Sequence, residues 1–262
     1  VGFVPTMGAL HEGHLSLVKK SIAMCNKTIV SIFLNPTQFG PNEDFDSYPK
    51  TIEADIRLLH SAGVDVLFLP NEKEMYSRVK SVQVPESPLF KKLEGKSRPH
   101  FFFGVTTIVA KLLNIINPSH TFFGKKDAQQ LIIVEQMVKK MKYSIKLVPV
   151  ETERDANGLA LSSRNQYLNE SQQKEASLIF KGLTKIKKNI INGETNCKVL
   201  KKIFVEFISK NKNFNIDYIS IADMETLEEL IEIPPKYYLV STAIFFNNIR
   251  LIDNFDYNQL DT

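Results

Sequence analysis

The stretch VGFVPTMGALHEGHLSLV, residues 1–18, decides how the first part of the chain is expected to fold. Its apolar start, Gly2–Pro5, predicts a buried strand, and the apolar spacing that follows predicts a helix over Gly13–Met24. Gly8 permits a tight turn between the two, and Gly13 lets a ligand approach the backbone closely. Strand, glycine turn and helix in this order are typical of an α/β fold. The start of such a helix favours anions, because its free N–H groups and its dipole point outward.

The same alternation of strand and helix patterns continues through the first 150 residues. Beyond the opening unit the sequence predicts strand Thr28–Leu34, helix Ile52–Ala62 with Gly63 as its C-cap, strand Val64–Pro70, helix Thr106–Ile116, strand His120–Gly124, helix Asp127–Lys140 and strand Ile145–Val150. This pattern predicts a parallel, doubly wound, Rossmann-like sheet, which binds ligands at the carboxyl ends of its strands.

The pattern changes after Val150, which predicts a second, smaller α+β domain. A polar, turn-rich segment, Arg154–Asn165, comes first. The elements predicted after it are helices Ser171–Asn192 and Asn196–Asn211 and strands Asp217–Ala222, Tyr237–Phe245 and Arg250–Ile252. We therefore expect a Rossmann-like catalytic domain over residues 1–152 and an α+β domain that acts as a lid over residues 153–262.

The composition excludes several classes of protein. The 262 residues include 33 Lys+Arg and 29 Asp+Glu, with 43% hydrophobic and 24% charged residues, which excludes a disordered or collagen-like chain. A net charge of +4 is too small to predict a nucleic-acid partner. No apolar run reaches the roughly 18–20 residues that span a membrane. The scarcity of cysteine, with only Cys25 and Cys197, favours a reducing compartment, and we expect a cytoplasmic protein. Val1 already begins a strand, so we expect the numbering to start inside a domain.

Two histidines, His11 and His14, lie at the start of the first predicted helix. Their spacing of three places both imidazoles on one face of its first turn, where they can donate hydrogen bonds to phosphate oxygens. The alternatives are a zinc site and a surface turn without function. Zinc is disfavoured because the helical His-Glu-x-x-His signature spaces its histidines by four, and no third ligand is nearby in the sequence.

Three further polar clusters are candidates for ligand binding. Asn35 and Gln38 supply neutral amides that suit a small polar acid with hydroxyls, although such residues also satisfy backbone groups within turns. Lys126 can meet phosphates at a helix start, where Asp127 is also a plausible N-cap. The segment Asp155–Asn165 contains two hydroxyls and a guanidinium that can wrap around a triphosphate.

These blocks carry a resemblance to a known family. Pro5–His14 is similar to the His-x-Gly-His signature of the nucleotidyltransferase superfamily, and Val4–Leu17 resembles the pantothenate synthetase family more specifically. Three later blocks resemble that family in the same order: Phe33–Gly40 with Asp44, Tyr48 and Pro49; Phe123–Leu131; and Asp155–Asn165. The resemblance is dense over residues 1–165 and looser from there to Asn254. The family's opening segment of about twenty residues is absent, so we expect the chain to lack about one leading helix.

The resemblance implies an ATP-dependent ligase of coenzyme A biosynthesis. Such an enzyme joins pantoate to β-alanine through a pantoyl adenylate and releases AMP and pyrophosphate. The implied catalytic residues are His11, His14, Lys126, Ser162, Ser163 and Arg164, and these also bind ATP together with Met7, Gly8, Gly124 and Asp127. The implied pantoate ligands are Asn35, Gln38 and Gln130. Mg²⁺ is expected to be held mainly by the ATP phosphates, with no direct protein ligand. The expected partners are these small molecules and a second copy of the chain, with no nucleic acid and no membrane.

One block departs from the family pattern. The stretch Leu93–Val105 resembles one that usually reads Arg-Pro-Gly-His-Phe-Arg-Gly-Val, but here His100 replaces glycine, Phe101 replaces histidine and Phe103 stands where arginine is common. We therefore do not count His100 or Phe101 as catalytic. The family also carries proline and valine more often near Glu151 and Glu153.

Two alternative functions remain open from the sequence. The first is another nucleotidyltransferase that adds ATP to a phosphate, which would call for more Arg or Lys than the amide set of Asn35, Gln38 and Gln130. The second is a tRNA-binding synthetase fragment or non-catalytic relative, which would need a basic face with interleaved aromatic residues. The lysines over residues 185–202 lack such interleaving.

Overall fold

The computed structural model describes residues 1–41, 43–78 and 82–257. The chain divides into two units, Val1–Glu153 and Arg154–Thr262. We call them unit 1 and unit 2.

The described part of unit 1 contains one parallel sheet. Its strands are β1 (Gly2–Thr6), β2 (Thr28–Ile32), β3 (Val66–Phe68), β4 (His120–Gly124) and β5 (Lys146–Val150). They are hydrogen-bonded in the order β3-β2-β1-β4-β5, with every pairing parallel. The order reverses between β1 and β4, which is the position at which doubly wound sheets bind ligands.

Helices cover both faces of this sheet. The α-helices are α1 (Glu12–Met24), α2 (Ile52–Ser61), α3 (Glu94–Ser97), α4 (Phe101–Ile116) and α5 (Ala128–Lys140). Short 3₁₀ helices span Pro36–Gln38, Pro88–Lys91 and Lys125–Asp127, and a π-helix spans Glu74–Arg78. Phe3 and Val4 are adjacent in β1 and fully buried, yet Phe3 lies in an apolar cluster with Val105 of α4 and Val4 in a second cluster with Leu17 of α1. The doubly wound, Rossmann-like sheet predicted from the sequence is confirmed.

Helix α4 begins earlier than predicted, at Phe101 instead of Thr106. Gly104 therefore lies inside the helix, where glycine normally costs stability relative to alanine. The reason is a close approach: a Cβ on Gly104 would lie 2.3 Å from the carbonyl oxygen of Thr37. This glycine brings α4 against the short helix Pro36–Gln38, and so against the predicted amide pair.

Unit 2 contains helices packed with an antiparallel sheet. Its elements are the 3₁₀ helix Ser163–Tyr167, helices α6 (Glu170–Ala176), α7 (Leu178–Ile191) and α8 (Cys197–Ile208), and strands β6 (Phe214–Asp223), β7 (Tyr238–Phe246) and β8 (Ile249–Tyr257). The strands pair antiparallel in the order β6-β7-β8. The turn Asn247-Asn248 between β7 and β8 has φ of 47° and 68°, as a two-residue hairpin turn requires. The predicted α+β class of this unit is confirmed.

Two elements in unit 2 differ most from the prediction. The helix expected over Ser171–Asn192 is broken at Ser177, whose hydroxyl donates to the carbonyl of Lys174 at 2.7 Å and competes with the helical pattern. Strand β8 continues past Ile252 because Asp253, a polar residue that suggests a strand end, is buried and ion-paired with Arg154.

Both cysteines, Cys25 and Cys197, are free thiols. In the part of the chain that the structure describes, every helix is too short or too polar to cross a lipid bilayer.

Candidate functional site

The histidine pair caps helix α1 through reciprocal hydrogen bonds. His11 occupies the N-cap position, and its Nδ1 accepts from the backbone N–H of Gly13 at 3.1 Å. The Nδ1 of His14 accepts from the backbone N–H of His11 at 3.4 Å, and the two ring centroids are 4.1 Å apart. A ring nitrogen that accepts from an N–H carries no proton, so the proton of each neutral ring is on Nε2. Each imidazole therefore keeps one N–H donor that the cap does not use.

Burial keeps both rings neutral at physiological pH. The pKa of His11 is lowered to about 4, first by burial and then by the positive charge of Lys126, against the opposing charges of Asp127 and Glu12. The pKa of His14 is lowered to about 3, first by burial and then by His11 and Lys126. The pair can thus donate hydrogen bonds but contributes no charge near pH 7. Charge at this site comes from Lys126, which lies close enough to act on both histidines.

The end of β4 supplies the residues that meet this pair. Lys126 Nζ lies 3.9 Å from Asp127 Oδ1. Asp127 occupies the N-cap position of α5, but its side chain forms no cap hydrogen bond, so capping does not explain the residue. Lys125 is paired with Glu151 at 2.6 Å, which gives the glutamate that departs from the family pattern a partner within unit 1. The structure thus brings together four of the predicted residues, His11, His14, Lys126 and Asp127.

The two glycines predicted to bind ATP, Gly8 and Gly124, differ in whether the local backbone requires glycine. Gly8, next to Met7 in the turn after β1, has φ of +86°, a conformation that glycine adopts without strain. Gly124 has an ordinary φ of −77°, and a Cβ added there would meet no atom within 4 Å. Nothing in the described protein requires glycine at 124, so the open space beside it is available to a ligand.

The predicted amides Asn35 and Gln38 have different roles. Asn35 is only 1% exposed, and its Nδ2 donates to Gln38 Oε1 at 2.8 Å and to the carbonyl of Gly104 at 3.2 Å. Its Oδ1 accepts from the N–H and the hydroxyl of Thr37 and from the hydroxyl of Tyr76. Both amide hydrogens and the oxygen of Asn35 are therefore occupied. Within the described ranges the Nε2 of Gln38 meets no acceptor, so Gln38 is the member of the pair that can bind a ligand.

Gln129 and Gln130, at the start of α5, also differ in whether internal hydrogen bonds occupy their amides. Gln129 is buried; its Nε2 donates to the carbonyls of Leu89 and Lys92, and its Oε1 accepts from the N–H of Glu94. Gln130 is half-buried, and its amide forms no hydrogen bond to any residue that the structure describes. The predicted ligand, Gln130, is thus the one with an available amide.

The segment that departs from the family pattern holds Arg98 in place. Arg98 pairs with Glu43 through two bonds of 2.6 and 2.5 Å, donates to the carbonyl of Gln38 at 3.1 Å, and lies 3.7 Å above the ring of Phe101. His100 is exposed and forms no cap bond at the start of α4, and Phe103 is 56% exposed. His100 therefore does not replace the imidazole that the pattern lacks at Phe101.

Unit 2 holds the remaining predicted residues on one short helix. Ser162 is its N-cap and accepts the N–H of Arg164 at 3.3 Å, while Ser163 is buried and Arg164 half-buried. Arg154 anchors the preceding segment, because its guanidinium forms two bonds of 2.7 and 2.8 Å with buried Asp253. These contacts lie wholly within unit 2 and fix the local shape of the Ser-Ser-Arg segment.

Sequence reasoning missed three residues that support these groups: Asp55, Tyr76 and Arg154. Asp55 carried a usable signal, because it lies four residues before Leu59 on α2 and so falls on the buried side of that helix. The apolar pattern instead assigns Ile52 and Ile56 to that side, and both are exposed. Tyr76 and Arg154 had no comparable signal, since their partners Asn35 and Asp253 are distant in sequence.

Comparison with known proteins gives consistent matches. The family model described as pantoate-beta-alanine ligase matches residues 1–256. The chain is 46% identical to pantothenate synthetases of Acetivibrio thermocellus and Fervidobacterium nodosum, over 97% of this chain and 90% of each relative. It is similar to the crystal structure of pantothenate synthetase from Thermus thermophilus, with a TM-score of 0.92, 39% identity and coverage of 98% and 93% of the two chains. It is also similar to pantoate-beta-alanine ligase from Francisella tularensis, complexed with beta-gamma ATP and beta-alanine, with a TM-score of 0.76, 37% identity and coverage of 97% and 88%.

The depressed pKa values of the histidine pair predict a loss of stability in mild acid. Below pH 6.5 both imidazoles bind protons in the unfolded chain, where their pKa is about 6.5, but stay neutral in the folded protein. Protonation therefore stabilises the unfolded state, and the free energy of unfolding falls as the pH drops. The expected contribution is up to about 2 kcal/mol per histidine between pH 7 and pH 5. Urea denaturation of the wild type and of His14→Asn, which keeps a cap acceptor but does not titrate, measures this loss.

The variant should lose less stability than the wild type over this pH range. His100→Asn controls for the removal of an exposed histidine elsewhere. Equal pH dependence in the wild type and His14→Asn would contradict the assignment of a buried neutral ring.

Proposed function

The chain belongs to the pantoate-beta-alanine ligase family, and from that premise we propose that it condenses pantoate with β-alanine at the expense of ATP, as a pantothenate synthetase. The observation that carries the proposal to specific residues is the cluster of two neutral histidines and Lys126 at the ends of β1 and β4. This cluster presents N–H donors and one positive charge where a doubly wound sheet binds its ligand.

The first step is adenylation. A pantoate carboxylate oxygen attacks the α-phosphorus of ATP, and the bond from that phosphorus to the bridging oxygen of pyrophosphate breaks. The Nε2–H groups of His11 and His14 donate to phosphate oxygens whose charge grows as the bond breaks, and Lys126 adds a positive charge beside them. Because the rings are neutral and their tautomer is fixed, they stabilise charge without transferring a proton.

The second step is amide formation. The amine of β-alanine attacks the acyl carbon of the pantoyl adenylate, AMP leaves with the electrons of the acyl–oxygen bond, and the amine loses a proton. Both steps place the reacting groups in contact and stabilise charge, so the protein needs no covalent nucleophile.

The remaining ATP contacts are assigned from the functional groups and the space that the other predicted residues offer. The space beside Gly124 suits a nucleoside that approaches the backbone, with the carboxylate of Asp127 as a hydroxyl acceptor and Met7 and Gly8 in the turn after β1. In unit 2, Ser162, Ser163 and Arg164 are proposed to bind the β- and γ-phosphates, because hydroxyls and a planar guanidinium match phosphate oxygens. The lid role of unit 2 remains part of this proposal.

Pantoate is assigned to the two glutamines with available amides, Gln38 and Gln130. Asn35 is proposed to act indirectly, because its own amide is fully occupied by internal bonds, one of which orients Gln38. Tyr76 extends this support, since its hydroxyl bonds Asn35, and Lys111 lies 4.7 Å over its ring while donating to the carbonyl of Met75.

The described residues fit a magnesium ion that is held by its substrate. They contain no cluster of three or more His, Cys, Asp or Glu side chains that could form a protein cage. Mg²⁺ usually keeps several waters and binds through substrate phosphates. When bound there, it would neutralise charge on the departing pyrophosphate.

We also propose a cytoplasmic homodimer. Two free thiols suit a reducing compartment. The dimer rests on the family resemblance, and exposed apolar side chains in unit 1 provide surface for it: Ile52 and Ile56 of α2 and Val66 and Leu69 at the edge strand β3.

The reaction is tested by following AMP and pyrophosphate. Pantoate alone should support pyrophosphate release and ATP–pyrophosphate exchange, whereas repeated release of AMP should need both pantoate and β-alanine. AMP formation that is independent of both acids would refute the proposed function.

The phosphate-binding roles predict a specific loss in the first step. His11→Asn keeps a favourable N-cap but removes the Nε2–H donor, and Lys126→Ala removes the charge. Each should lower pantoate-dependent ATP–pyrophosphate exchange by roughly 10²-fold or more while the melting temperature stays near that of the wild type. Lys140→Ala, an exposed lysine at the other end of α5, is the matched control. Near-normal ATP–pyrophosphate exchange in both test variants would contradict the phosphate-binding roles of His11 and Lys126.

Substitution of the two neighbouring glutamines should affect different properties: pantoate binding for Gln130 and stability for Gln129. Gln130→Ala should raise the KM for pantoate about 10-fold with unchanged stability, because it removes one ligand hydrogen bond and no internal one. Gln129→Ala should lower the free energy of unfolding by about 1–3 kcal/mol, because three hydrogen bonds to backbone groups are lost. Initial rates and urea denaturation measure both. An unchanged KM in Gln130→Ala would remove Gln130 from the pantoate site.

A further inference from the structure

Asp55 is a buried carboxylate that the proposed reaction does not use. It lies on α2, is 1% exposed, and accepts three hydrogen bonds: from the N–H of Ala9 to Oδ2 at 2.9 Å, from the N–H of Leu10 to Oδ1 at 2.9 Å, and from the hydroxyl of Thr51 to Oδ1 at 3.1 Å. Among the residues that the structure describes, no cation is paired with it. Burying a carboxylate without a cation is costly unless hydrogen bonds compensate, and here backbone donors of a single turn do so.

The turn that Asp55 holds is a strained one. Gly8 and Ala9 both have positive φ, +86° and +51°, and the second is not a glycine. A non-glycine residue in this region persists only where its surroundings hold it there. The close fit extends to Gly8, where a Cβ would lie 3.2 Å from Asp55 Oδ2. Without an acceptor at this point, two consecutive buried N–H groups would each lose a hydrogen bond.

This turn ends where the histidine pair begins. Leu10, whose N–H is bound by Asp55, is followed directly by His11, the N-cap of α1. The direction in which the Nε2–H of His11 points is therefore set by the path of the turn, and that of His14 follows through the reciprocal cap. A loosened turn would displace both donors while leaving the sheet and the amides of Gln38 and Gln130 in place.

We propose that Asp55 is a positioning residue for the histidine pair: it locks the turn after β1 by binding two successive backbone N–H groups, and so aims both imidazoles at the phosphates. The proposal rests on the phosphate-binding role given to these histidines above. Asp55 acts through the backbone and touches no substrate.

The test is Asp55→Asn, which keeps size and shape but turns one acceptor into an amide that faces a backbone donor. We expect kcat for pantoate-dependent pyrophosphate release to fall 10- to 100-fold, with the KM for pantoate within about threefold of wild type. In nitrogen-15 spectra of histidine-labelled protein, the ring signals of His11 and His14 should shift. Asp65→Asn is the matched control, because Asp65 also accepts a backbone N–H, from Thr28 at 2.8 Å, but makes no contact with this turn in the described structure.

A second variant keeps the test decisive if Asp55→Asn does not fold. Thr51→Val removes only the hydroxyl bond to Asp55 and should give a smaller fall in kcat, about 2- to 5-fold, with a shift of the same ring signals. Folded Asp55→Asn with wild-type kcat or unshifted histidine signals would overturn the proposal, as would equal shifts in Asp65→Asn. Failure of the proposed function is a separate result: a wild type inactive with pantoate would refute the function, while shifted ring signals would still support the positioning role.

Discussion

The backbone N–H groups at the start of a helix need acceptors, and at α1 two of these groups, those of His11 and Gly13, donate to imidazole nitrogens. That single requirement fixes the chemistry of the site. It places the proton of each ring on Nε2, and it draws both rings toward the protein, where burial disfavours the charged form. The result is two neutral donors whose direction is set by the backbone. Positive charge is left to Lys126, so hydrogen bonding and charge are supplied by different residues.

The same separation of roles appears among the amides. Asn35 and Gln129 are buried and use their amide groups internally, whereas Gln38 and Gln130, close by in the sequence, retain amide N–H donors without an internal acceptor in the described structure. A glutamine that binds a ligand through its N–H donors must be held in one rotamer by other contacts. A neighbouring side chain that donates to its amide oxygen provides such a contact. Asn35 bonds the Oε1 of Gln38 and leaves the Nε2 available.

The sequence predicted the sheet well because each strand of unit 1 is apolar and is followed by turn residues, so the alternation alone identifies a parallel sheet. It also placed His11 and His14 at the start of the first helix and Lys126 between β4 and the helix that follows it. What it could not supply were contacts between residues distant in the chain. Asp55 appears in the sequence as one of several acids on an amphipathic helix, and only the fold shows that it faces the turn after β1. The break at Ser177 was missed for a local reason, since serine within an apolar periodicity gives no sign that its hydroxyl will bind the preceding turn.

The altered segment after Ser97 shows how a departure from a family pattern can be absorbed. Phe101 stands where the pattern has histidine, and its ring provides a face on which the guanidinium of Arg98 lies. Arg98 in turn donates to the backbone carbonyl of Gln38, while Gly104 brings α4 close enough to bond Asn35. The segment therefore supports the amides that we propose to bind pantoate through the backbone, and it needs no imidazole of its own to do so. The exposed His100 is thus a substitution at the surface, and the polar groups proposed to meet substrate in unit 1 come from the ends of β1, β2 and β4.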